Sequence, residues 1–252
     1  MKKTTNLTAI ALATTTALGM SALPMSAQAE LSGNISVVSK YVLRGGPSRT
    51  AINGGAANEH TGAAVQGGLD YGFDNGIYLG YWGSSLSYAD TSGTNQSDTG
   101  FENDFYGGYA GSVGSFNYDI GVIAYDYVNI SNSDAQELVG SVGYGPVSLG
   151  FKSLLKDVAW GNDGDTYWTL SYETDLPKDF SLGLTYGYYT YDSGTFVTGT
   201  EDGFKHLDIA LSHPIGKTGA DMSIVYIVGG DDRTGAEVPD NVVFGVSYGF
   251  DI

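Results

Sequence analysis

Cysteine is absent from this chain, and cations are scarce: 11 lysines and arginines stand against 28 aspartates and glutamates, a formal charge of −17. Without cysteine no disulfide can staple an exported chain, so stability has to come from a large core or from a different solvent. So few basic residues exclude a nucleic-acid partner, because phosphates need a cationic surface. Histidine is limited to His60, His206 and His213, with no metal-ligand spacing around them, and neither a metal nor a cofactor is expected. Long hydrophobic runs are missing too: after Leu23 none could cross a bilayer as a helix.

What is abundant is 38 Gly, 19 Tyr and 10 Phe, far from an ordinary soluble composition. The chain opens with Lys2 and Lys3, an apolar stretch from Leu7 to Leu23, and Ala27-Gln28-Ala29, a small-x-small cleavage pattern. Residues 1–29 therefore read as a cleaved secretory signal peptide; a membrane anchor is disfavoured because Thr14 to Thr16 and Pro24 interrupt a short run. Its removal takes the charge to −19, since every Asp and Glu lies at or after Glu30. An exported, Cys-free chain rich in Tyr and Gly points to a β-barrel.

Helical periods are absent and period-two alternation is nearly continuous, as in strands with two unlike faces. In the last segment Val242, Phe244, Val246, Tyr248, Phe250 and Ile252 share one side, and Val243, Gly245, Ser247, Gly249 and Asp251 the other. The first segment places Ile35, Val37, Tyr41 and Leu43 on an apolar side. Ten similar segments lie between, making twelve strands. Their connections alternate in length. Short ones fall near Asp74-Asn75-Gly76, Gly111 to Gly114, Gly145-Pro146, Leu176 to Asp179 and Pro214 to Gly219, with tight-turn chemistry. Long ones fall near Gly45 to Gly62, Ser84 to Gly100, Asn129 to Ala135, Leu154 to Gly164, Asp192 to Gly203 and Gly229 to Asp240.

Short turns on one side, long loops on the other and an even strand count are the marks of an outer-membrane barrel with both termini in the periplasm. The expectation is an all-β, single transmembrane up-and-down antiparallel barrel over residues 30–252, exported through the periplasm to a bacterial outer membrane. A secreted β-sandwich is the alternative, but gives no reason for the alternating connections. Outer-membrane lipid is the expected surrounding, and the aromatic-aliphatic final strand suits recognition by the barrel-assembly machinery.

Four stretches resemble a known family: "SKYVLRGG" at Ser39 to Gly46, Ala64 to Leu86, "FENDFYGGYAG" at Phe101 to Gly111, and "FNYDIGVIAYDY" at Phe116 to Tyr127. They are similar to the TorF-like porins of Gram-negative bacteria, with Ser39, Tyr41, Arg44, Gly45, Tyr78, Gly80 and Trp82 matching the family pattern. Lys40 departs from it where an acidic residue is usual. The resemblance implies a barrel and a pore, and supplies no catalytic residues.

If Tyr41 and Leu43 face lipid, Lys40 and Arg44 point into the lumen, where a cation avoids the cost of the lipid face. The same parity turns Gln66, Asp70, Glu102, Asp104, Asn117, Asp119, Lys152, Glu173, His206 and Asp208 inward. Such a wall either sorts small hydrophilic solutes by charge or pairs its charges, for example Arg44 with Asp70, and plugs the lumen. Lys40, Arg44, Asp70, Glu102, Asp104, Asp119, Lys152, Glu173 and Asp208 are the expected selectivity residues of a passive, cation-biased channel.

The loops hold Glu59, Asp90, Asp98, Asp134, Asp157, Asp163, Asp165, Asp192, Glu201, Asp202, Asp231, Asp232, Glu237 and Asp240 against Arg49, Lys156 and Arg233. They form either a cation-gathering mouth or a solvated repulsive surface, and a closed structural or adhesive barrel could use them for contact. "NDGDT", Asn162 to Thr166, lacks the length and final Glu of a calcium loop and reads better as an exposed glycine turn. His206, Asp208 and Ser212 offer triad residue types for a barrel hydrolase, but six residues of strand separate Ser212 from His206 by roughly 20 Å. No enzyme is expected.

Overall fold

The computed structural model describes residues 30–46, 50–52, 55–57, 63–89, 97–128, 132–195 and 197–252. The signal peptide read from residues 1–29 lies outside them, as do Arg49, Glu59, His60 and Asp90. Among the described residues fourteen strands follow in chain order: β1 Glu30–Val38, β2 Thr50–Ile52, β3 Gly55–Ala57, β4 Ala64–Gly72, β5 Ile77–Ala89, β6 Ser97–Val113, β7 Phe116–Val128, β8 Ala135–Tyr144, β9 Val147–Leu154, β10 Thr166–Leu176, β11 Phe180–Thr190, β12 Gly203–Pro214, β13 Ala220–Gly229 and β14 Asn241–Asp251. β2 and β3 form a small hairpin inside the first long loop; the other twelve pair in order and close into an antiparallel barrel. Closure joins β1 to β14, with Ile35 opposite Tyr248 and Ser36 opposite Ser247, so no barrel edge is left unpaired.

Unlike solvents on the two faces explain the strands. Phe105 is 54% exposed while its neighbour Asp104 is 0% exposed, and the same inversion recurs around the barrel. Exposed apolar side chains such as Leu79, Ile120, Leu149, Leu170, Ile224 and Phe244 form an exterior suited to lipid. Several exterior aromatics lie over cross-strand glycines: a Cβ at Gly33 would meet the Phe250 ring, one at Gly83 the Phe101 ring and one at Gly140 the Phe151 ring. Glycine there lets the rings lie flat against the apolar exterior.

Five short turns and both ends of the described chain lie at one end of the barrel; the longer loops lie at the other. These are called the turn end and the loop end. Among the described residues no helix is long and apolar enough to cross a membrane; the barrel strands are 8 to 17 residues long. One irregularity breaks the ladder, a register shift between β11 and β12 at Gly187/Tyr188, which leaves Lys205 without a direct partner across the pair.

One strand ends earlier than its alternation implies. β1 stops at Val38, and the chain bends at Ser39 and Lys40. Tyr41, expected on the lipid face, is 0% exposed and packs with Val38, Val42, Leu86, Val225, Ile227 and Val243 inside the barrel. A second buried cluster, Ile123, Tyr125, Ala135, Val139, Leu154 and Val158, fills the opposite side. Both lie in the loop-end half, so the barrel has a packed core there.

Candidate functional site

The lumen has two unlike halves. Toward the turn end the inward positions are mostly small and polar: Ser141 faces Asp119, Gly143 faces Ser148, Ser171 faces Thr185 and Ser212 faces Ser223. Two tyrosines cross this wall in opposite directions. Tyr106 on β6 reaches over Gly80 of β5 and donates to Asp70 on β4. Tyr78 on β5 reaches over Gly108 and Gly121 and donates to Asp119 on β7 at 3.1 Å. Any side chain at Gly80 or Gly108 would overlap these rings. The glycines thus hold both phenols flat against the wall, and each carboxylate is fixed by a neutral donor rather than by a cation. The result is a polar, acidic vestibule whose inward side chains, among them Asp70, Ser141, Ser148, Ser171, Thr185 and Ser223, are only half-buried.

Above the vestibule the lumen is crossed by the segment after β1. Ser39 still pairs with β14, donating its N–H to the Phe244 carbonyl at 2.7 Å and accepting the Phe244 N–H on Oγ at 2.9 Å. Lys40 turns to the loop-end rim, where Nζ donates to Asn241 Oδ1 at 2.8 Å, so it is not on the β1 wall as expected. Leu43 to Gly46 then close a tight turn through Gly46 N–H to the Leu43 carbonyl at 3.2 Å. Its central residues Arg44 and Gly45 have φ of 49° and 83°. Glycine takes that conformation freely, but for Arg44 it costs roughly 1–2 kcal/mol, and Gly45 sits against His206 where a Cβ could not fit.

That cost is offset by what the guanidinium meets. Arg44 donates to Glu137 Oε2 on β8 at 2.6 Å and to the Tyr189 hydroxyl on β11, and its Cζ lies 5.0 Å from the centre of the Tyr167 ring. Tyr125 also donates to Glu137, at 2.7 Å. The Arg44–Asp70 bridge considered from the sequence does not form: Arg44 pairs with Glu137, because the early bend delivers it higher in the lumen than a strand position would. Glu102 accepts from Tyr127 at 2.9 Å, while Asp104, Glu102 and Glu137 share the field of Lys152 on β9. Arg44, Glu102, Asp104 and Glu137 are all 5% exposed or less, so this level of the lumen is filled. Four carboxylate oxygens there, both of Asp104 and one each of Glu102 and Glu137, have no hydrogen-bond donor.

The remaining sequence-selected residues fall in different places. Asp208 and His206 are buried in the same constriction, with His206 Nδ1 2.7 Å from Asp208 Oδ1 and Nε2 2.7 Å from the Tyr167 hydroxyl. An acceptor at Nδ1 makes that nitrogen an N–H donor, and Nε2 shares its hydrogen bond with the Tyr167 hydroxyl. Both nitrogens are spent without a serine, and Ser212 sits three pairs along the wall toward the turn end. Glu173 is exposed at the turn-end mouth.

Among the described residues no group of three or more His, Asp or Glu could hold a metal ion. "NDGDT" is not the exposed turn expected. Asn162 is 0% exposed, and Asp165, 4% exposed, pairs with Arg233 at 2.7 Å. Asn162 and Arg233 both donate to the Asp192 carbonyl, tying three loops together. A guanidinium from another loop fills the role a cation would have taken.

Residues 22–240 match the family described as Gcw_chp, bacterial protein of unknown function. The chain belongs to this family. No curated protein matches the chain. The structure is similar to the KdgM porin at 11% identity and a TM-score of 0.52, covering 87% of this chain and 99% of that one. Lesser likenesses reach OccK5 of Pseudomonas aeruginosa, at 12% identity, a TM-score of 0.43 and 86% and 63% coverage. They also reach the calcium-bound outer membrane phospholipase dimer of Salmonella typhi, at 12% identity, a TM-score of 0.47 and 86% and 90% coverage. The first likeness shows the barrel fold. The family match is coarser than the TorF-like name, which it does not carry.

Sequence reasoning missed several residues that close the Gcw_chp barrel. Glu137 lies beside the outward Leu138, and Tyr125, Tyr127, Tyr167 and Tyr189 alternate with outward residues on their strands, so strand parity alone could have placed them in the lumen. No sequence signal pairs Glu137 with Arg44, because 93 residues separate them.

Proposed function

We propose that this Gcw_chp member is a porin-type channel of the bacterial outer membrane, biased toward cations and closed at mid-lumen in the conformation described. The observation that carries this reading is the hollow vestibule. A barrel whose interior served only as a core would fill its inward positions with large side chains, as the loop-end half does. The turn-end half instead presents glycine, serine and threonine, with its two tyrosines laid flat over glycines. Asp70 and Asp119, held by phenols rather than by Arg or Lys, leave net negative charge on that wall, which raises the local concentration of cations. The final strand, apolar at every second position, and the apolar exterior support insertion in an outer membrane.

Conductance of the purified protein in planar bilayers, with its cation-to-anion permeability ratio, tests the reading. Cation-biased current that loses its bias in Asp70→Asn/Asp119→Asn supports it. A second reading, a closed structural barrel, is favoured by the burial of Arg44, Glu102 and Glu137 across the lumen. Absence of conductance at every voltage in a folded, heat-resistant barrel would favour that reading over the channel.

A further inference from the structure

Resting on the channel reading, we propose that Ser39 to Gly46 is a voltage-sensing gate, with Arg44 as its gating charge and Glu137 as its catch. The segment is not part of the barrel wall. Its last ladder contact is Ser39 against Phe244, which makes this the hinge, and beyond it Tyr41, Val42 and Arg44 are held in the lumen by their side chains.

Two kinds of hold are visible. Tyr41 and Val42 enter an apolar cluster, and Arg44 is clamped by Glu137 and Tyr189 with its cation over Tyr167. The left-handed backbone at Arg44 favours release whenever the clamp weakens. Gly45 has room against His206 only because it lacks a side chain. A residue chosen for the turn alone would be Gly or Asn; an arginine there is explained by what its charge does.

Leaving the lumen toward the loop end moves one positive charge through part of the transmembrane field, so the open-to-closed ratio depends on voltage. For a full charge crossing the whole field the dependence is about 50-fold per 100 mV, an upper limit here. Departure also leaves Glu102, Asp104 and Glu137 around Lys152, an acidic ring of the sign that admits cations.

The test is single-channel recording of the full protein, Arg44→Gln, Glu137→Gln and the double variant, each shown by heat-modifiable migration to be a folded barrel. The expected wild type opens at potentials negative on the loop side. Glu137→Gln keeps the steepness of the voltage dependence but opens at smaller potentials, with at least a tenfold higher open fraction at zero voltage. Arg44→Gln and the double variant lose the steepness; the double variant neutralises both partners of the Arg44–Glu137 pair, so neither is left buried without the other, and its heat-modifiable migration separates loss of the gating charge from misfolding. Wild-type current without voltage dependence, or unchanged steepness in the double variant, overturns the gate while the channel stands. Silence of all four proteins overturns the channel itself.

Discussion

The two halves of the lumen are built from the same twelve strands and the same alternation, yet one is hollow and the other solid. In the turn-end half each inward position needs only to avoid the lipid face, and small polar residues with flat tyrosines suffice. In the loop-end half a single segment, Tyr41 to Gly46, enters from outside the sheet, and the inward side chains become a core around it: Val225, Ile227 and Val243 on one side, Ile123, Val139 and Leu154 on the other. Between these clusters the Arg44–Glu137 pair follows the rule for buried ions, an acid-base pair to which the neutral phenols of Tyr125 and Tyr189 add hydrogen bonds. Barrel geometry sets how wide a lumen is; what enters it decides whether it is open.

The comparison can be broken most sharply at the catch. Glu137→Ala leaves Arg44 buried without its carboxylate and is expected to destabilise the barrel by about 3–5 kcal/mol in urea unfolding, whereas Glu137→Gln should lose less. A cavity in the solid half comes next: Ile227→Ala, at a fully buried position, is expected to cost about 2–4 kcal/mol. Filling the hollow half is a milder injury. Gly80→Leu drives Tyr106 off the wall, with an expected loss of about 1–3 kcal/mol and a lower conductance of the open channel. Ser171→Ala, on the open vestibule wall, should shift stability by less than about 0.5 kcal/mol. If Ser171→Ala proved as costly as Ile227→Ala, the hollow half would not be hollow.

The loops give the smallest effect, and it depends on pH. The Thr195 hydroxyl, then the Asp163 and Thr195 backbone N–H groups, hold the Asp157 carboxyl below its ordinary 3.8, and Tyr226 and the Gly229 N–H do the same for Asp240. Folding therefore favours the ionised forms. Their contribution is complete above the unfolded value and fades as pH falls from there through the lower folded values. Cleavage of the loops by an acid-stable protease should increase near about pH 3 relative to pH 5, while the barrel itself resists. Equal cleavage at both values would mean that these hydrogen bonds do not hold the loops.

Much of this architecture was legible in the residues. Water and lipid demand opposite side chains from alternate positions, so Phe244, Val246 and Tyr248 declare their face, and Asp70, Glu102 and Asp119 declare the other. Turn chemistry at Asn75-Gly76 and Gly145-Pro146 separates the tight connections from the long ones, and their alternation fixes which strand ends share a side of the barrel. Where alternation misled was Ser39 to Arg44: Tyr41 and Leu43 continue the period of Ile35 and Val37, and only the left-handed Arg44-Gly45 pair marks a departure. A period of two records which solvent a face meets when a strand continues, and carries no signal that the chain has left the sheet.

The sequence by itself determined a closed, Cys-free barrel of twelve strands with an apolar outside and a charged inside, because each of those properties is set by neighbours one or two residues apart. Only the tertiary structure decided that Arg44 meets Glu137, that Lys40 stays at the rim, that Asp165 answers Arg233 and that half of the lumen is solid. Those outcomes depend on residues brought together across the bore and between loops, and a linear pattern cannot encode a distance that exists only after the sheet has closed.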